Sequence, residues 1–124
     1  MLAYLVGLAL AAWGVLAPPV IDIEWFSNEI GAGIYAQTGY QPATNYCLIG
    51  VSSTHWSELT PDQQLYVIEH EVGHCLGLDH YGSCNYNVSV MGCATGTPVT
   101  DYDRLRYKLA SGRGYKIFAG GLAL

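Results

Sequence analysis

Residues 70–80 read His-Glu-Val-Gly-His-Cys-Leu-Gly-Leu-Asp-His, which sets three imidazoles, a carboxylate and a glycine within eleven positions. Few local structures accommodate such a run. Thr60-Pro61-Asp62-Gln63 supplies a hydroxyl N-cap, a proline at the first helical position, an acid in the positive first turn and a glutamine that completes a capping box, so a helix should begin at Thr60. Leu65, Ile68, Val72 and Leu76 recur every three or four residues and form one apolar stripe for a core to bury. At about 100° per residue, His70 and His74 fall nearly opposite that stripe and one turn apart, where both rings can converge on a single ion. Glu71 points obliquely off the same side, within reach of a water on that ion without being a ligand itself.

Gly77 sets the path of the chain beyond this helix. A straight helix would carry His80 away, whereas glycine at the C′ position accepts the left-handed conformation that ends a helix and turns the chain. His80 can then fold back as a third ligand. Three nitrogens leave a tetrahedral position open, which marks a catalytic rather than a structural zinc site. A bare HExxH recurs by chance, but adding the glycine and the third histidine lowers the chance expectation to roughly one in a hundred thousand for a chain of this length.

The full pattern, HExxHxxGxxH, resembles the signature of the metzincin zinc peptidases. Met91, in Ser89-Val90-Met91-Gly92, stands eleven residues after His80, where the resemblance places the Met-turn beneath the three histidines. Thr100-Asp101-Tyr102-Asp103 then caps a helix with basic residues toward its end, which is similar to the terminal helix of the matrixin branch. The likeness spans about Thr60 to Gly112. It implies one catalytic Zn2+ on His70, His74 and His80, Glu71 as general base, and a protein or peptide as substrate. It also implies a small α+β metzincin-like domain, a thin mixed sheet packed on the active-site helix with a C-terminal helix. The chain departs from the pattern at two positions: Tyr81 follows the third histidine where matrixins usually carry serine, and Cys93 stands where astacin-like enzymes place an additional tyrosine ligand. No acid- and glycine-rich loop supports structural calcium. A competing expectation from another class is a zinc-stabilised binding module without catalysis. Intact Glu71 argues against it, and the thin sheet argues for it.

With 124 residues and 51% hydrophobic content the chain has room for one modest core, which argues against a disordered chain. A net charge of −5 with only five Lys and Arg argues against nucleic acid and anionic membrane surfaces as partners. Residues 1–17 are uncharged and precede Pro18-Pro19, and three readings stand open. A signal peptide ending near Ala17 would leave 18–124 as the domain and imply a secreted or extracytoplasmic protein. A retained membrane anchor would have to run through residue 21 to reach about 20 apolar residues. The third reading is a first packed helix, since matrixin-like domains resemble the Ala11-Ala12-Trp13 segment.

Val20–Phe26 and Tyr46–Ser52 alternate like strands, and Ser27–Gln37 reads as a short helix weakened by Gly31 and Gly33. Cys47–Val51 is the candidate for a substrate-pairing edge strand or its neighbour. Four cysteines in an exported domain with a thin core should form disulfides; three connectivities are open, with Cys84–Cys93 and Cys47–Cys75 the candidate pairs, and free thiols are the alternative in a reducing compartment. His55 reads as a loop histidine, and Asp79 as a residue that orients the turn.

Overall fold

A computed structural model describes residues 1–27, 34–82 and 88–113. Its elements are α1 (Leu2–Trp13), β1 (Val20–Phe26), β2 (Ala36–Gln41), β3 (Tyr46–Ser52), α2 (Pro61–Cys75) and α3 (Asp101–Arg113), with a short 3-10 turn at Trp56–Glu58. This is a small α+β arrangement around a three-stranded mixed sheet in the order β1-β3-β2. β3 is central because it is the most apolar strand, with Cys47 and every residue from Ile49 to Ser52 buried. It runs parallel to β1 and antiparallel to β2, so that Ile49 faces Ile23 on one side and Thr38 on the other. The segment Cys47–Val51 is thus the neighbour of edge strand β2.

Both strands expected from alternation appear with the expected bounds. The helix expected over Ser27–Gln37 is corrected where the structure describes it. Ala36 and Gln37 open β2, Ile34 and Tyr35 carry no regular structure, and residues 28–33 lie outside the described residues. The sequence AQTGYQ alternates only weakly, with Ala36, Thr38 and Tyr40 half-buried and Gln37, Gly39 and Gln41 exposed; its antiparallel pairing with β3 across the short connection 42–45 makes it a strand.

α2 begins as its sequence dictates. Thr60 Oγ1 accepts from the Gln63 amide at 3.2 Å and Gln63 Oε1 accepts from the Thr60 amide at 3.0 Å, a complete capping box. Burial extends well beyond the predicted stripe, however, and covers every residue from Val67 to Gly73. Part of the extra cover comes from α1, which buries Leu2, Leu5, Val6, Ala9 and Trp13, and the rest from β2 and the segment at Val90. Trp13 Nε1 donates to the Glu69 carbonyl at 2.8 Å, and Arg104 Nη1 donates to the Ala12 carbonyl at 3.1 Å. A Cβ on Gly73 would collide with Met91 Sδ and lie 2.7 Å from Trp13 Cζ2, so glycine lets the turn at Met91 and α1 close on α2. Among the described residues no helix is long and apolar enough to cross a membrane.

A disulfide joins Cys47 on β3 to Cys75 in the last turn of α2, with Cα atoms 5.5 Å apart and a sequence separation of 28. Such a bond is compatible with an extracellular protein. The second expected pair includes Cys84, which lies outside the described residues. Replacing Cys47 and Cys75 together by alanine is expected to lower stability by about 3–4 kcal/mol, the loop-closure value for a ring of this size. Urea unfolding measures it, and an unchanged midpoint would show the staple to be redundant.

Candidate metal centre

His70 and His74 stand on successive turns of α2, and the end of that helix delivers the third histidine. Gly77 adopts φ 87°, its amide donates to the His74 carbonyl at 2.9 Å, and the Leu78 amide donates to the Gly73 carbonyl at 3.1 Å. These two bonds form a Schellman motif that reverses the chain. The three imidazoles then enclose one point, with ring centroids 4.9, 5.1 and 4.8 Å apart.

The ring orientations are set by hydrogen bonding. His70 Nδ1 lies 2.7 Å from the Val90 carbonyl and His74 Nδ1 lies 2.8 Å from the Leu78 carbonyl. A carbonyl only accepts, so each Nδ1 carries the proton and each Nε2 keeps a lone pair for a ligand. Burial pulls both imidazoles below their ordinary pKa, which favours the neutral form that binds metals. The ligand atoms of His70, His74 and His80 all lie within 4.8 Å of one another, and the group can hold a metal ion. His70 is buried and His80 exposed, so the centre opens to solvent on the His80 side.

Glu71 stands beside this donor set. Its Oε2 is 3.9 Å from His70 Nε2, while Oε1 accepts from Thr38 Oγ1 at 2.8 Å. Burial pushes its carboxyl above the usual carboxylate range, with the Thr38 hydrogen bond drawing the other way. Glu71 and the three histidines line a cleft of about 1000 Å³ whose walls include Thr38 and Tyr40 of β2, Val67 of α2, and Ala94.

A second layer holds the first. Met91 is fully buried in a tight turn where the Gly92 amide donates to the Ser89 carbonyl at 3.1 Å. The buried Asp103 of α3 accepts from Ser89 Oγ, from the Val90 amide at 2.9 Å and from the Thr100 amide at 2.9 Å. Since the Val90 carbonyl in turn accepts from His70, Asp103 is linked to His70 through a single residue, Val90. Asp103→Asn keeps the shape but turns an amide group toward N–H donors. It is expected to cost about 3 kcal/mol of stability and roughly 10- to 100-fold in metal affinity. Thermal unfolding and titration against a chromogenic chelator measure the two; undiminished metal affinity would detach Asp103 from the centre.

The structure thus brings together His70, His74, His80 and Glu71, with Gly77 at the helix end and Met91 in the turn packed on Gly73. His55 lies elsewhere, 2.7 Å from Glu58 Oε2, and Asp79 is exposed. Sequence reasoning missed Thr38 and the buried Glu69, whose Oε1 accepts from the Val99 amide at 2.9 Å. Neither carries a local signal, because each finds its partner on a distant segment. Comparison with family models, with curated proteins and with solved structures found no match.

Proposed function

We infer that this chain is a secreted zinc-dependent endopeptidase of metzincin-like, matrixin-like type, acting on protein or peptide substrates. The observation that carries the reading is a carboxylate, Glu71, held beside three convergent imidazoles at the edge of an open cleft. The donor set suits zinc. In a tetrahedral site with bonds of about 2.0–2.1 Å, neighbouring nitrogens stand roughly 3.3 Å apart. His74 Nε2 and His80 Nε2 are 3.2 Å apart.

When bound, zinc supplies a more acidic water and a polarised scissile carbonyl. Glu71 takes the proton of the attacking water and delivers it to the departing amine. Thr38 pins Oε1 and leaves Oε2 on the side of the histidines for that transfer. β2 borders the cleft and pairs only with β3 among the described residues, so its outer edge can hydrogen-bond an extended peptide.

The three-stranded sheet favours a second reading, a zinc-stabilised binding module. Glu71 weighs against it, because a structural site needs no unligated carboxylate at that position. Hydrolysis of casein by the zinc-loaded protein, abolished by a chelator and restored by added zinc, is the expected result. A fully loaded protein that cleaves nothing would favour the module.

A further inference from the structure

The cleft that holds the histidines also contains a buried cation. Arg106, on α3, lines it and is only 8% exposed. Its Nε and Nη1 are buried without a hydrogen-bond partner. The guanidinium lies over the Tyr81 ring, with Cζ 4.4 Å from the ring centre, and Tyr81 packs in turn on Tyr102 at 5.0 Å. Stacking of this kind fixes the plane of a guanidinium and leaves its in-plane donors to be satisfied by something else.

The acids nearest along α3 are committed elsewhere. Asp103 bonds Ser89, Val90 and Thr100, and Asp101 pairs with Arg104 Nη2. Among the described residues no carboxylate pairs with Arg106. Buried donors are nearly always satisfied, and a buried cation without a counter-ion is less common still. Ala110, one turn further along α3, and Ala94 also line the cleft, so part of its wall is built from small side chains.

Resting on the peptidase reading above, we propose that Arg106 is a specificity residue that binds a carboxylate of the peptide, either an acidic side chain or the free chain terminus. Its planar fork matches a carboxylate, the Tyr81 ring holds one face of the guanidinium, and Arg106 is among the residues that line the cleft, so a carboxylate seated there would partner the buried donors. The net charge of −5 repels acidic peptides in general, so a preference for them runs against the overall field and isolates the local group.

The test measures binding rather than turnover, by fluorescence anisotropy on zinc-loaded Glu71→Gln protein, so that the peptides stay intact. One series of end-blocked hexapeptides walks a single glutamate through every position, each matched by its glutamine counterpart. A second series compares free-acid and amide C-termini. The expected result is one position, or the free terminus, at which the carboxylate form binds on the order of 10-fold tighter. The first outcome assigns a side-chain carboxylate and the second a chain end. Adding Arg106→Gln should erase the preference. Arg106→Lys, which keeps the charge without the fork, should reduce it several-fold and decides the matter alone if the glutamine variant does not fold. Equal binding of every matched pair, or a preference that survives either substitution undiminished, overturns the proposal. Failure of the parent protein to cleave any peptide would sink the peptidase reading instead, and the binding comparison would still decide the role of Arg106.

Discussion

Zinc-loaded Glu71→Gln protein is expected to keep its metal and lose turnover by the order of 10²- to 10⁴-fold, the usual effect of removing a general base. The substitution conserves shape, so the amide oxygen can still accept from Thr38 Oγ1, now 2.8 Å from Oε1. The orientation of the ligands is untouched, because the His70 and His74 rings are held by the Val90 and Leu78 carbonyls and not by Glu71. What disappears is the oxygen facing His70 Nε2, 3.9 Å away, which is replaced by a group that cannot take a proton. Burial is already unfavourable to a charge at this position, so the neutral amide should fold at least as stably as the parent. Zinc content and casein hydrolysis, measured on the same sample, separate the two halves of the claim. Loss of zinc would make Glu71 a ligand or a prop for one. Retained activity would remove it from the chemistry.

The parts of this site that lie within one stretch of chain were legible from the sequence. The capping box at Thr60, the spacing of His70 and His74, and the glycine that ends α2 are all set by contacts within a few residues, and they appear as expected. The Cys47–Cys75 bond was also legible, because the helical position of Cys75 turns it toward the sheet. The parts that depend on distant partners were not. β2 was missed for a different reason: it forms a hairpin with β3 across only residues 42–45, but Gly39 and the two flanking glutamines leave its alternation weak. Thr38 acquires a role only through that pairing, which brings it against Glu71, a residue 33 positions away in sequence. Asp103 was recognisable as part of a helix cap, but its reach to Ser89 and Val90 was not. α1 is the largest such case: an uncharged N-terminal run open to three readings becomes, in the structure, the cover for Gly73 and Glu69 on α2.

His80→Ala should weaken zinc binding by on the order of 10²- to 10³-fold, if the binding energy of a structural zinc site is divided among its ligands. The fold should survive the change. His80 is exposed, and the backbone around it is held independently by the Gly77 turn upstream and by the Tyr81 amide, which donates to the Met91 carbonyl at 3.2 Å downstream. Removing the ring therefore subtracts a ligand without opening a cavity. His70 and His74 remain oriented by their carbonyl partners, so a two-ligand site persists and retains weak affinity. Hydrolysis at limiting zinc should fall in step with occupancy. His55→Ala is the matched control: its ring sits on Glu58 Oε2 at 2.7 Å, away from the three histidines, and its removal should leave zinc content unchanged. Competition titration with a chromogenic chelator gives the affinities and circular dichroism the fold. Equal zinc affinity in the His80→Ala and parent proteins would refute the third-ligand assignment, since the turn at Gly77 would then deliver a histidine that the metal does not use.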